Sequence, residues 1–257
     1  MNDPVSTSPS LRDEFFNRVR RDGLFPTGAK GLRYLWQDRS AFDRKYGTDT
    51  GRIEPLWRFD IRSANLPFAT RYETAGEEVT EAAIRHLGLE HSEFTFIDLG
   101  CGKGLPLLIA ARLGFAKIIG VEFVPKLAAI ARSNAEIMGI KNISVLEMDA
   151  AEFRFPDSKI VLFLFNPFGD HVMEKVLDNL NHQGEQVSHA IVPPPLYVIY
   201  GNPGALLDRC GFLRKLVTLR VGKWPIAIYQ RESGICMRTI GHLIGRASSR
   251  FVSRAAK

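Results

Sequence analysis

Phe94-Thr95-Phe96-Ile97-Asp98-Leu99-Gly100-Cys101-Gly102-Lys103-Gly104 is the stretch of sequence that decides the fold. Its first half is apolar, β-branched or aromatic except for one aspartate, which predicts a buried strand. Three glycines at alternate positions then predict a tight turn, and the apolar periodicity of Leu105–Leu113 predicts a helix. A strand, a glycine turn and a helix in that order open a doubly wound α/β fold, in which the turn lies against a nucleotide-like ligand.

The residues around the glycines indicate which ligand this is. In a dinucleotide fingerprint the third glycine would stand at Leu105, and Asp98 before the first glycine would repel a pyrophosphate. A carboxylate there attracts an ammonium group. S-adenosylmethionine (SAM) has no phosphate and carries both an amine and a sulfonium. The motif from Asp98 through Gly100, Gly102 and Gly104 resembles the first motif of class I SAM-dependent methyltransferases, the alternative being a simple strand–helix turn.

Composition places the chain among ordinary globular proteins. Its 257 residues are 45% apolar and 24% charged, enough for one large domain or one domain with a small appendage. No apolar run reaches the roughly 18 residues of a membrane span. Residues 1–10 lack the apolar core of a signal peptide, so we expect a cytoplasmic protein. The cysteines and histidines show no metal-ligand spacing, so no metal is predicted.

Strand and helix patterns alternate along the chain. They predict an α/β fold with a doubly wound, mostly parallel seven-stranded sheet that ends in an antiparallel hairpin. Residues 1–75 form an N-terminal extension whose first ten residues are disordered, 76–231 the main domain, and 232–257 a basic tail. Beyond the opening motif, the predicted elements are helix Glu77–Leu87, strand Lys117–Glu122, helix Pro125–Met138, strand Ile143–Glu147, strand Val161–Phe165, a helix to Leu180 with Asp170 as N-cap, strand Leu196–Tyr200, helix Gly204–Cys210, and strands Phe212–Val221 and Trp224–Gln230.

Further cofactor ligands are expected where the next two strands end. Glu122 follows the glycine motif at the distance at which an acidic residue accepts hydrogen bonds from ribose hydroxyls in such folds. The family resemblance implies that Asp149 accepts from the adenine amine and that Met148 lies against the ring. An exposed glutamate after a strand and a helix N-cap are the alternatives for Glu122 and Asp149.

An acceptor site is expected after the fourth strand, at Asn166-Pro167-Phe168-Gly169. Proline has no N–H, which leaves carbonyls and the Asn166 amide oxygen as acceptors suited to an amine. The turn departs from the N-P-P-aromatic motif of amino methyltransferases and resembles the N-x-F turn of the non-SET histone-lysine methyltransferases and related lysine methyltransferases. That resemblance also implies that Tyr72 and Thr74 contact the cofactor. Core packing is the alternative for Phe168.

The function expected from these residues is SAM-dependent transfer of a methyl group to an amine nitrogen, with Asn166, Pro167 and Phe168 at the acceptor site and a protein lysine as the favoured acceptor. A nucleic-acid base or small-molecule methyltransferase is the alternative within catalysis. A non-catalytic SAM-fold binding protein is the alternative outside it. The chain has a net charge of +6 with basic residues concentrated at its ends, so nucleic acid is a less favoured partner, and a solvated basic tail is an equal explanation.

Overall fold

A seven-stranded sheet organises the computed structural model, which describes residues 40–51, 75–182 and 193–232. Each strand except those of the final hairpin is separated from the next by a helix or a 3-10 turn. The helices are α1 (Ala41–Tyr46), α2 (Glu77–Arg85), α3 (Leu105–Arg112), α4 (Pro125–Ile137) and α5 (Asp170–Asn181). The strands are β1 (Thr95–Leu99), β2 (Lys117–Glu122), β3 (Ile143–Glu147), β4 (Ile160–Phe165), β5 (Leu196–Gly201), β6 (Leu213–Val221) and β7 (Trp224–Arg231).

The strand order across the sheet is β3-β2-β1-β4-β5-β7-β6. Strands β1 to β5 run parallel, and β7 pairs antiparallel with both β5 and β6. The predicted fold class is therefore confirmed. The order of strands reverses between β1 and β4, and in open α/β sheets ligands bind at the carboxyl ends of the strands beside such a reversal.

The two faces of the sheet bury different apolar side chains because successive residues of a strand point to opposite sides. On β4, Leu162 and Leu164 join the core on the α5 side, whereas Phe163 and Phe165 join the core that α1, α2 and α3 cover. All six residues of β4 are buried, as expected for a central strand covered on both faces. This packing fixes where β1 and β4 end and so positions the residues that follow them.

Two predicted details near the site are wrong. The N-cap of α5 is Gly169, without a side-chain capping bond, and Asp170 is the first helical residue. The predicted helix Gly204–Cys210 is only a 3-10 turn, Leu207–Arg209, because a short segment that begins at a glycine cannot offset the cost of nucleating an α-helix.

Several predictions fall outside the described residues: the disorder of residues 1–10, the cofactor contacts of Tyr72 and Thr74, and nearly all of the basic tail 232–257. The proposed domain boundaries stay predictions. Within the described ranges, no helix combines the length and apolarity that crossing a bilayer requires.

Candidate active site

A buried carboxylate lies at the carboxyl end of β1. Asp98 is 3% exposed, and its Oδ2 atom has no hydrogen-bond partner among the described residues. Burial, reinforced by the nearby charge of Glu122, raises the pKa of Asp98 well above its usual value. An acceptor kept from water in this way costs free energy unless a donor reaches it. Asp98 is therefore suited to a ligand that brings a cation or an N–H donor.

The glycine loop between β1 and α3 packs closely against its surroundings. Gly104 has φ 85°, and a Cβ at this position would lie 3.1 Å from Cβ of Ala131 on α4. Gly100 has φ 80°, and its Cβ would lie 3.3 Å from Cβ of Pro167. Both the left-handed backbone and the close approach require glycine. The second contact shows that the glycine loop and the predicted acceptor turn meet.

Glu122 lies at the end of β2 and holds the glycine loop. It is 4% exposed, its Oε2 atom accepts a 2.8 Å hydrogen bond from the Gly102 N–H, and its Oε1 atom accepts one of 2.9 Å from the Val124 N–H. Burial raises the pKa of Glu122 to about 7, although these backbone hydrogen bonds favour the charged form. Each carboxylate oxygen has two lone pairs, so both retain capacity to accept from a ligand hydroxyl. The ribose role of Glu122 stays a prediction.

The segment after β3 lies next to the end of β2. The Met148 N–H donates to the Glu122 carbonyl over 3.2 Å, and the Met148 side chain packs partly buried against the core on the α5 side. The Asp149 Oδ1 atom accepts a 2.9 Å hydrogen bond from the Ala151 N–H and caps the 3-10 turn Ala150–Glu152. Asp149 is therefore an N-cap in the structure, as the alternative interpretation expected. The contact of Asp149 with adenine stays a prediction.

The acceptor turn follows β4 in an unusual backbone conformation. Asn166 has φ 46°, and Asn202, which follows β5, has φ 54°. The Asn202 Nδ2 atom donates a 2.8 Å hydrogen bond to the Asn166 Oδ1 atom, and the Asn202 N–H donates to the Pro225 carbonyl over 2.8 Å. Asparagine tolerates the left-handed region better than most residues. This hydrogen bond joins the ends of the neighbouring strands β4 and β5. Phe168 is partly buried against the core, which agrees with the core-packing alternative given for it above.

A thiol and an imidazole, those of Cys101 and His171, also lie on segments next to the site. Cys101 is 4% exposed, and burial together with the charges of Asp98 and Glu122 raises the pKa of its thiol well above the usual value. A thiol held in its protonated form is a poor nucleophile. His171 is exposed in the first turn of α5. Among the described residues, no group of three or more histidine, cysteine, aspartate or glutamate side chains has the arrangement of a metal site.

Sequence reasoning missed four residues that the fold brings to this region: Asn202, Asp49, Lys103 and Asn134. Lys103 is fully buried within the glycine loop, and its Nζ atom lies 3.2 Å from both carboxylate oxygens of Asp49. Asn134 is 2% exposed and bonds to the backbone of both. The sequence offers one signal for the contact between Lys103 and Asp49. The polar run Gly47-Thr48-Asp49-Thr50-Gly51 is typical of a turn rather than of a strand or helix in the core.

Comparisons with known proteins find similarity to methyltransferases. Residues 90–196 match a family model described as a methyltransferase domain. A demethylmenaquinone methyltransferase from Thermus thermophilus is 35% identical over 118 residues, which are 42% of this chain and 52% of that protein. A ribosomal protein L11 methyltransferase from Clostridium botulinum is 25% identical over 175 residues, 64% of this chain and 54% of that protein.

Among solved structures, yhhF from Escherichia coli, which carries a provisional methyltransferase assignment, shares the fold. It has a TM-score of 0.50 and 18% identity over 63% of this chain and 90% of that chain. The chain spans about half the length of the two curated relatives. Neither of these relatives is named as a histone-lysine methyltransferase, so that finer resemblance stays a prediction. Residues 90–196 are therefore similar to a methyltransferase domain, with which the expected cofactor S-adenosylmethionine agrees, and the chain shares the α/β fold of yhhF.

Proposed function

We propose that this protein transfers a methyl group from S-adenosylmethionine to an amine nitrogen, with a protein lysine as the acceptor. The observation that carries the cofactor half of this proposal is the Oδ2 atom of buried Asp98, which has no hydrogen-bond partner in the described part of the chain. A methionine ammonium would supply both the positive charge and the N–H donors that this oxygen lacks. When bound, SAM supplies an electrophilic methyl group on its sulfonium.

The residues around Asp98 fit the rest of that cofactor. Gly100 and Gly104 present bare backbone, so a ligand can approach the loop closely. Glu122 lies beside them with spare acceptor capacity for ribose hydroxyls, while Met148 offers an apolar surface next to it. A pyrophosphate ligand would instead bring negative charge to two buried carboxylates. These features support SAM over a dinucleotide.

The choice of an amine rests on Asn166. Its amide is uncharged, so it can align an amine without stabilising the unreactive ammonium form. The hydrogen bond from Asn202 fixes the orientation of that amide, because Oδ1 must face the Asn202 donor. A hydroxyl acceptor would need a general base instead, and His171 is exposed at the start of α5. The enzyme's own contribution is then to position the acceptor and exclude competing geometries.

The choice of a protein acceptor has separate support. The Clostridium relative is named for methylation of ribosomal protein L11. The N-x-F form of the Asn166 turn resembles the corresponding turn of lysine methyltransferases. The Thermus relative is named for a quinone substrate, which keeps a small-molecule acceptor as the second candidate.

The test is transfer of label from methyl-labelled SAM to fractions of a cell lysate, followed by hydrolysis of the labelled protein. We expect label in protein and its recovery as methyllysine. Asp98→Asn should abolish most of the transfer because it removes the charge that binds the ammonium, whereas Asp178→Asn, a matched change at an exposed position of α5, should leave transfer unchanged. Label confined to nucleic acid or to small molecules would refute the lysine assignment.

A further inference from the structure

A buried lysine lies at the centre of the glycine loop, where the proposed function gives it no role. Lys103 is fully buried, and its Nζ atom lies 3.2 Å from both Oδ1 and Oδ2 of Asp49. The Asp49 side chain is 42% exposed and comes from a segment 54 positions earlier in the sequence. A buried ammonium is costly unless it is paired, so the Asp49 carboxylate stabilises the loop conformation that buries Lys103.

Asn134 on α4 joins the same two segments through their backbones. Its Oδ1 atom accepts from the Asp49 N–H over 2.9 Å, and its Nδ2 atom donates to the Asp49 carbonyl over 3.0 Å. The same Nδ2 atom donates to the Lys103 carbonyl over 2.9 Å. One buried amide therefore fixes Asp49 and the glycine loop to the same helix.

The loop that carries Asp49 is held from its other side by Asp43 on α1. The Asp43 Oδ1 atom accepts from the hydroxyls of Thr48 and Thr50 and from the Thr50 N–H, each over 2.8 Å, and its Oδ2 atom accepts from the Gly51 N–H over 2.9 Å. Although burial opposes it, these hydrogen bonds lower the pKa of Asp43, which is therefore a carboxylate at neutral pH. The hydrogen bonds to Asp43 therefore fix the residues on both sides of Asp49 and so position its carboxylate beside Lys103.

The neighbours of Lys103 are the residues that shape the cofactor loop. Gly102 donates its N–H to Glu122, and Gly104 is the N-cap of α3 pressed against α4. A displacement of Lys103 must move one or both. We infer that Asp49 is a positioning residue for the cofactor, which acts through Lys103 to hold the glycine loop in its ligand-receiving conformation. This inference rests on the proposed function and adds to it the segment 47–51, which lies outside the matched methyltransferase domain.

The test is the dissociation constant of SAM and of its demethylated product, measured by calorimetry on the full chain. Asp49→Asn keeps the size of the side chain and removes its charge, so we expect affinity to fall about tenfold or more, the range of a lost charge-assisted hydrogen bond. Asp49→Glu restores a carboxylate and should recover most of the affinity. The double variant Asp49→Asn with Lys103→Met removes both charges, so its loss should be smaller than the product of the two single losses.

The matched control is Glu77→Gln. It breaks the ion pair between Glu77 Oε1 and Arg112 Nη1, which lie 2.6 Å apart at the far end of α3. This variant tests whether loss of any ion pair in the domain weakens binding, and we expect its dissociation constants to equal those of the parent. Unchanged affinity in folded Asp49→Asn, or equal losses in Asp49→Asn and Glu77→Gln, would overturn the inference.

A second measurement needs no variant. The N–H groups of Asp49, Thr50 and Gly51 are all hydrogen-bonded, so their exchange with deuterium reports on opening of this segment. Adding the demethylated product to the parent protein should slow exchange there as well as at Gly102. Protection confined to Gly102 would contradict the coupling. If the parent binds neither SAM nor its product, the proposed function fails and this inference with it, whereas binding without coupling refutes only the inference.

Discussion

Replacing Glu122 with glutamine should flatten the pH dependence of stability in the ligand-free protein. Burial raises the pKa of this carboxyl from 4.5 to about 7, so the folded state holds its proton more tightly than the unfolded chain does. Stability that comes from this proton is fully present below pH 4.5 and is lost as pH rises through about 7. At about 1.4 kcal/mol for each pKa unit, the free energy of unfolding should fall by about 3 kcal/mol across that range.

The assay is urea denaturation at a series of pH values between 5 and 8, without cofactor. The parent should become less stable as pH rises, and Glu122→Gln should show a clearly smaller slope. Glutamine can accept only one of the two backbone hydrogen bonds, so this variant is less stable at every pH, and the comparison is therefore between slopes. Asp98, whose pKa burial and Glu122 also raise, contributes with the same sign.

The control is Glu147→Gln, which changes the half-exposed residue that pairs with Glu122 across β2 and β3 and should keep the slope of the parent. Equal slopes in the parent and in Glu122→Gln would refute the reasoning, because they would show that the buried carboxyl does not hold its proton as the fold requires.

Three further outcomes follow from the same site. Affinity for SAM should be about tenfold weaker at pH 6 than at pH 8, because the ribose contacts proposed for Glu122 require its charged form if its backbone hydrogen bonds are kept; pH-independent calorimetric affinity would contradict this. Asn166→Ala should keep the SAM dissociation constant within about threefold and lower kcat by on the order of a hundredfold, with Asn202→Ala intermediate, as measured by turnover at saturating SAM once the acceptor is known. Gly201→Ala should lower the free energy of unfolding by about 1–3 kcal/mol in urea denaturation, because its Cβ would overlap the ring of Phe165.

Local sequence pattern was sufficient for the parts of this fold that depend on local interactions. The apolar, aromatic and β-branched run before Gly100 predicts a buried strand, and the order of strands and helices then predicts a parallel sheet. Since the carboxyl ends of parallel strands share one edge, Asp98, Glu122 and Asn166 had to lie near one another. The close approach of Gly100 to Pro167 shows that the segments after β1 and β4 do meet.

The remaining site residues depend on contacts between distant segments, which pattern does not encode. Asp49 meets Lys103 across 54 positions, and Asn134 meets Asp49 across 85. A lysine within a glycine loop is polar in sequence, and nothing local predicts that it is fully buried. The sequence pattern does not indicate Asn202 either. This residue contributes a hydrogen bond to the residue after another strand, and its left-handed backbone conformation has no local sequence signature that is specific to it.

The electrostatics of the site give an independent argument about what it binds. Asp98 and Glu122 are buried close enough for the charge of one to raise the pKa of the other. Lys103, a buried cation in the glycine loop that follows Asp98, contacts Asp49. A ligand with negative charge would add a further repulsive term to this arrangement, whereas an ammonium with hydroxyl donors nearby would stabilise both carboxylates at once. The burial that raises the two pKa values in the ligand-free fold therefore favours the proposed cationic, hydroxyl-bearing cofactor, and binding of that cofactor would be coupled to proton release at these two carboxyls.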